Sequence, residues 1–354
     1  MSARRHRTFP CRARRIRRSL GPMAGVTAAR ADELAALDFF AGCSTENLEP
    51  LAAQLRPLSA APGEILMRQG EQAVSFLLIG TGRVQVSHTG AEGLHAVVDV
   101  HHGMIVGEIA LMRDAPRTAT VIALDQVTGW VGAHDAFATM LEVPGMMDKL
   151  VRLARQRLAA FVAPIPLTVR DGTELFIRPV LPGDNERTIN GPVEFSSETL
   201  YRRFQSARKP TPRLMAYLFE VDYADHFVWV MTDGAHGPVV ADARFVRDEG
   251  DPTTAEVAFT VGDDYQGRGI GTVLMYALVV TASYDGVRRF TARVLTDNYA
   301  MRRILDKFGA HWERDDLGVV TTTVDVPDPA TLPFPPELTG RIRDVTRQVI
   351  RAVG

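Results

Sequence analysis

Cysteine is almost missing from this sequence. The 354 residues hold two, Cys11 and Cys43, both near the N-terminus, which excludes a disulfide framework and a cysteine-based zinc site. Long hydrophobic runs are missing too. No stretch approaches the roughly 18 to 20 apolar residues that cross a bilayer, and the first residues lack the apolar segment of a secretory signal. The expectation is a soluble, cytoplasmic protein with no membrane partner. Lysine is scarce as well: Lys149, Lys209 and Lys307 stand against 37 arginines, a bias that makes arginine-rich stretches unremarkable in themselves. His226, His236, His311 and the pair His101 and His102 show no metal-ligand spacing, so no metal site is expected.

What is present is a globular composition, 46% hydrophobic and 23% charged, at a length that favours two domains over one. Charge is unevenly placed. Residues 1–22 carry eight arginines and no acid, so a formal net charge of −2 for the chain becomes −10 for residues 23–354. An acidic folded part disfavours nucleic acid as a partner. Residues 1–22 have too few apolar side chains to fold alone and read as a disordered extension, with translation expected to start at Met23.

Along the chain, apolar residues at helical spacing from Leu34 to Leu55, interrupted by Gly42-Cys43-Ser44, predict two short helices. Short apolar-rich strands follow at Glu64–Met67, Val74–Ile79, Arg83–Ser87, His95–Val100, Ala119–Ala123 and Gly129–Gly132. Their rhythm is that of a small barrel or jelly roll. An amphipathic helix over Gly145–Val162 is stopped by Pro164-Ile165-Pro166, which sets a domain boundary between residues 163 and 164. Beyond it, strands at Leu175–Pro179, Phe227–Thr232, Val239–Val246, Thr254–Val261 and Arg289–Leu295 alternate with helices around Pro182–Gly191, Glu198–Glu220, Gly271–Tyr284 and Ala300–Phe308. That is an α/β pattern. A proline-rich connector, Pro327–Pro336, leads to a final helix, Glu337–Val353.

Two constellations carry chemistry. In the first, Gly103-Met104-Ile105-Val106-Gly107-Glu108-Ile109-Ala110-Leu111 precedes Pro116-Arg117-Thr118-Ala119-Thr120. Gly107 allows a tight turn that presents backbone N–H groups to an anion, Arg117 offers a planar fork of donors, and Glu108 is an acceptor suited to a sugar hydroxyl. With Arg68-Gln69-Gly70-Glu71, Phe76-Leu77-Leu78-Ile79 and Gly82, the stretch resembles the cyclic nucleotide-binding domain family over roughly residues 37–163. The resemblance implies an eight-stranded barrel with Glu108 on the ribose 2′-hydroxyl. It puts the Gly107, Ile109 and Ala110 backbone with Arg117 and Thr118 on the cyclic phosphate, and the helix from Gly145 over the base, with Gln156 as a base contact. Val106 stands where the family has an aromatic. Thr118 leaves the choice between cAMP and cGMP open.

The second constellation is Gln266-Gly267-Arg268-Gly269-Ile270-Gly271, opening a helix at Thr272 after the strand that ends at Val261. Alternating glycines expose backbone N–H groups at a helix N-terminus, a fit to pyrophosphate. The spacing and the missing acidic ribose ligand oppose a Rossmann reading. With Asn298-Tyr299-Ala300-Met301 and Phe308-Gly309-Ala310, the segment resembles the GNAT N-acetyltransferases over roughly residues 173–326. This implies acetyl-CoA as co-substrate, its pyrophosphate on Gln266 to Thr272 and its pantetheine arm along Phe259, Thr260 and Val261, with Asn298 and Lys307 further along. Glu256, on one strand face with Ala258 and Thr260, matches the general base of the lysine-acetylating branch, and N–H groups near Val261 would hold the oxyanion. Many relatives place a tyrosine acid seven residues after the asparagine; Leu305 stands there.

A nucleotide domain followed by a GNAT domain resembles the actinobacterial cAMP-regulated protein lysine acetyltransferases. The resemblance implies an N-terminal β-barrel or jelly roll, residues 23–163, and a C-terminal α/β (α+β) acetyltransferase, residues 164–326. Residues 327–354 would be a connector and helix able to act as a lid over the acceptor site. It implies allosteric activation by cAMP and protein substrates of the acyl-CoA synthetase type. The alternative is a small-molecule amine acetyltransferase under the same control, for which Asp222, Asp225 and Asp242 would supply an acidic pocket. A nucleotide-dependent transcription factor is disfavoured, since no helix-turn-helix pattern occurs.

Overall fold

A computed structural model of the chain describes residues 29–90, 95–189, 191–206, 211, 214, 218–219 and 221–351. The expectations for residues 1–22 and Met23 lie outside them. The first described elements are two short helices, α1 (Ala31–Ala35) and α2 (Thr45–Ala52), with the Ser44 hydroxyl accepting from Asn47 N to cap the second. Eight strands follow: β1 (Arg56–Ala60), β2 (Ile65–Met67), β3 (Ser75–Thr81), β4 (Val84–Thr89), β5 (His95–Val100), β6 (Ile105–Val106), β7 (Thr120–Ala123) and β8 (Val127–Ala133). They form two four-stranded sheets, β1-β8-β3-β6 and β2-β7-β4-β5, closed over Leu77, Ile79, Val84, Val106 and Val121. The barrel thus takes the two-sheet, jelly-roll form.

Helix α3 (Glu108–Met112) interrupts the strands between β6 and β7, and α4 (His134–Leu141) follows β8. Helix α5 (Met146–Ala160) then packs Leu150, Ala154 and Leu158 inward, one ridge at a spacing of four. Strand β1 carries Pro57 and little apolar pattern. It is tolerated because it lies at a sheet edge, where a missing N–H breaks no ladder on the open side.

The second half is built on one eight-stranded sheet ordered β15-β16-β14-β13-β12-β11-β10-β9. Its strands are β9 (Ile165–Thr168), β10 (Glu174–Pro179), β11 (His226–Thr232), β12 (Val239–Arg247), β13 (Thr254–Val261), β14 (Arg289–Leu295), β15 (Glu313–Asp316) and β16 (Val319–Asp325). The prolines that stop α5 do not end order, since Pro166 sits in β9, again an edge strand. Helices α6 (Asp184–Ile189) and α7 (Ser197–Phe204) precede β11, α8 (Ile270–Tyr284) and α9 (Tyr299–Asp306) flank β14, and α10 (Pro336–Ile350) closes the chain. The helix expected over residues 198–220 is corrected: α7 ends at Phe204, where Gln205 takes a left-handed φ of 50°. Much of the remainder of that stretch lies outside the described residues.

The two sheet faces differ in chemistry. Register places Trp229, Ala243 and Phe259 on one face, with Phe227, Phe245 and Val257. That face packs on α8, whose ten buried side chains surround it because α10 covers its far side; Ile342 and Val349 of α10 are fully buried, and Thr346 Oγ1 meets Thr281 Oγ1 at 3.2 Å. The opposite face carries His226, Asp242, Arg244 and Glu256. The expected lid is therefore corrected: α10 is docked against α8, across the sheet from Glu256, where its apolar ridge is satisfied.

Candidate functional site

The parallel pairing of β13 with β14 lasts three rungs, Thr254 with Arg289, Ala255 with Phe290 and Glu256 with Thr291. Beyond Glu256 both strands run on without each other. The main chain of residues 257–261 on that side faces a cleft of about 920 Å³ instead of a ladder. An extended amide-bearing ligand can take the place of the missing strand. Phe259, Thr260 and Val261 line this cleft, as do Gln266, Gly267, Gly269, Ile270, Gly271, Thr272, Asn298, Lys307 and the exposed carboxylate of Glu256.

Loop geometry explains the glycines. Gly269 caps α8 with φ of 87°, and a Cβ at Gly271 would stand 2.6 Å from Ile304 Cδ1, so α9 can approach α8 closely. The Arg268 side chain is not in the cleft: it donates to Asp264 O at 2.7 Å and pairs with Asp171 at 3.1 Å, bracing the loop against the β9–β10 turn. Gln266 Nε2 donates to Thr199 Oγ1 and Val261 O, tying the loop to α7 and to the end of β13. Asn298 caps α9 by accepting from Met301 N at 3.2 Å, and Lys307 Nζ donates to Thr272 Oγ1 at 2.9 Å. Arg170, Arg202, Arg293 and Arg303 add positive charge around the cleft against Glu256 and Asp316, a balance suited to a phosphorylated ligand. Arg170, beside Gly269, was hidden in sequence because it enters from the distant β9–β10 turn.

Leu305 is fully buried, so its position offers no acid to the cleft. Tyr265 does line it. Its hydroxyl donates to Asp233 at 2.7 Å, and burial with that carboxylate pushes its pKa up to about 12, so it holds its proton. Asp222, Asp225 and Asp242 form no acidic pocket. Asp222 accepts from Ala224 N and His226 N, Asp225 faces Arg247, and Asp242 is paired with Arg244; none lines the cleft. A second cavity of about 380 Å³ opens beside Glu256, lined by Thr291, Arg293, His311, Glu313, Thr321 and Thr323.

In the N-terminal barrel, Gly107 adopts φ of 87°, and a Cβ there would lie 2.6 Å from Met67 and 2.9 Å from Arg117 Nη1. Arg117 is buried and donates to Gly107 O at 2.9 Å and Ser75 O at 2.6 Å; burial lowers its pKa below the usual guanidinium value. Gly107, Glu108, Ile109, Ala110, Arg117 and Thr118 come together around one small cavity, about 40 Å³. Gln156 is not among its walls; the next residue of α5, Arg157, is, together with Phe161. Arg157 Nη1 donates to Glu108 Oε1 at 2.6 Å, while Glu108 Oε2 is buried with no partner. An orphaned carboxylate oxygen beside a buried guanidinium fits a ligand bearing a hydroxyl and an anion.

Comparison with known proteins finds a family match over each half of the chain. The cyclic nucleotide-binding domain family matches residues 57–143, and the acetyltransferase (GNAT) domain family matches residues 174–311. The acetyltransferase Pat of Mycolicibacterium smegmatis is 68% identical over 331 residues, 94% of this chain and 99% of its own. A cAMP-dependent protein kinase regulatory subunit of Dictyostelium discoideum is 30% identical over 36% of this chain and 33% of its own. A solved structure of a cAMP-binding acyltransferase from Mycobacterium smegmatis is 63% identical, covering 92% of this chain and 98% of that one, with a TM-score of 0.50. Among the described residues no helix is long and apolar enough to cross a membrane. The chain belongs to the acetyltransferases in which a cyclic nucleotide-binding domain precedes a GNAT domain, an acyltransferase with an acyl-CoA co-substrate and a cyclic nucleotide ligand.

Proposed function

We propose that this protein transfers an acetyl group from acetyl-CoA to lysine side chains of other proteins, acyl-CoA synthetase-type enzymes among them, and that cAMP activates it. The observation that carries the reading is the position of Glu256, on the last rung shared by β13 and β14 and in the wall of both the cleft and the second cavity. Acetyl-CoA, when bound, supplies the thioester. Glu256 accepts the proton an ammonium must lose before its nitrogen can attack, a contribution of about 10² to 10⁴ in rate. The open edge of residues 257–261 holds the pantetheine amides, Gly267 to Thr272 receive the pyrophosphate, and main-chain N–H groups near Val261 face the developing oxyanion. With the Tyr265 hydroxyl turned to Asp233 and Leu305 buried and apolar, the thiolate leaves to solvent and takes its proton from water.

A protein acceptor is favoured over a polyamine, because the three aspartates that would attract a polycation are committed elsewhere. We place the boundary between the nucleotide unit and the catalytic unit at residues 163 and 164, just after α5. The test is a lysate incubated with labelled acetyl-CoA and the purified protein, with and without cAMP. Labelled protein bands that strengthen with cAMP are expected, and label confined to small molecules would overturn the acceptor assignment.

A further inference from the structure

The nucleotide site is filled by its own chain. Its cavity is about 40 Å³, whereas sites for small ligands run from about 300 Å³ upward, so a wall must retreat before a nucleotide can enter. Most of that wall is barrel strand or the α3 turn, held by sheet ladders and by Arg117 on two backbone carbonyls. The remainder, Arg157 and Phe161, belongs to α5 and its last turn. Arg157 holds Glu108 Oε1 at 2.6 Å and Ile105 O at 2.7 Å, the pair being 13% and 1% exposed, and Phe161 stacks on His88 with ring centroids 5.0 Å apart.

We propose that Arg157 is an internal counter-ligand of Glu108, which a nucleotide must displace, so that this residue sets the affinity of the site. The inference rests on the nucleotide reading of the barrel and deepens it by naming what the nucleotide exchanges with. Both walls that can retreat ride on one helix, so opening the cavity for a ribose carries the Arg157 guanidinium away from Glu108. The 2′-hydroxyl then donates to the carboxylate in its place.

The same helix is gripped from the other side. Arg155, two residues earlier and therefore about 200° around the helix, donates to Ile350 O of α10 and to Asp222 O ahead of β11, and Gln348 of α10 donates to Leu158 O. Ligand exchange at Arg157 thus moves a helix whose opposite face is bonded to the catalytic half.

The test is calorimetry of cAMP and cGMP with the full chain, comparing the wild type with Arg157→Gln and Arg157→Lys, and checking each fold by circular dichroism. Apparent affinity equals intrinsic affinity multiplied by the open fraction, so a site open about one-tenth of the time gains about tenfold when its internal ligand is removed. Arg157→Gln, which keeps a donor and drops the charge, is expected to tighten binding about tenfold. Arg157→Lys, a single point donor that cannot hold Glu108 and Ile105 O together, is expected to give a smaller gain, and it decides the matter if the glutamine variant does not fold. Unchanged or weaker binding in the folded variants would overturn the proposal. Binding by no protein, wild type included, would reject the nucleotide reading and this inference with it, whereas binding seen only after the substitution would uphold both.

Discussion

Replacing Glu256 by glutamine separates chemistry from folding more cleanly than any other change in the cleft. The side chain is exposed, on strand β13, and among the described residues its carboxylate is in no hydrogen bond or close ion pair, with Arg203 and Arg293 acting on it only at longer range. Removing its charge therefore leaves the fold within about 0.5 kcal/mol of wild type. On the proposed reading acyl-CoA is held by the strand edge and the glycine loop, so KM for the co-substrate should hold. Turnover near neutral pH should fall by about 10² to 10⁴, equivalent to about 3 to 5 kcal/mol of transition-state stabilisation. The variant should recover with alkali: a lysine acceptor with a pKa of about 10.4 deprotonates unaided as pH rises, so its rate climbs roughly tenfold per pH unit up to that value. Steady-state rates on an acetylatable peptide from pH 6.5 to 9.5, with co-substrate titrated at each pH, supply the measurement. Wild-type turnover at pH 7, or a large rise in KM for the co-substrate with kcat intact, would refute the base assignment.

Gly107→Ala should abolish measurable nucleotide binding in calorimetry while sparing basal transfer, because its Cβ would press on Met67 and Arg117 in a left-handed conformation that costs an alanine about 1 to 2 kcal/mol. Lys307→Met should raise KM for acyl-CoA several-fold with kcat little changed, since the lost ammonium faces the co-substrate cleft next to Thr272 and not the acceptor side. Asp184→Asn should lower stability by about 3 to 5 kcal/mol in urea denaturation, as it breaks a buried bidentate pair with Arg178 that also caps Leu181 N. His226 supplies a pH signature: burial, then Arg244, push its pKa down to about 4, against about 6.5 in an unfolded chain. The unfolded state takes the proton first, so stability is lost as pH falls from about 6.5 to 4 and levels off below, about 3 kcal/mol in all. The difference between wild type and His226→Gln across that range isolates it, and parallel curves would refute it.

Local chemistry was enough for the units that repeat known spacing. The glycine loop ahead of α8, the Gly107-Glu108 turn with Arg117 ten residues on, and the carboxylate at the start of β13 each lie within a short stretch, so their resemblance to known families is readable before any fold is known. The two-sheet barrel and the largely apolar α8 were likewise legible, because period-two strands and an eight-residue apolar run, Val273 to Val280, need no distant partner to be recognised. Strands β1, β9 and β15 were not, since edge strands carry proline or charge and show little alternation, and the short β6 and the threonine-rich interior strand β16 were missed as well.

What tertiary structure alone decided is how distant segments meet. The pairing of β13 with β14 stops at Glu256, and the cleft lies where the two strands run on unpaired. Arg170 and Arg293 become its neighbours only once the sheet has formed. On α5, a difference of one residue, about 100° of helix, puts Arg157 rather than Gln156 against Glu108, and a helical period cannot be phased to that degree until both surfaces it packs on are in place. The same holds for α10, whose amphipathic pattern demands a covering surface but leaves to the whole fold that the surface is α8 and α5.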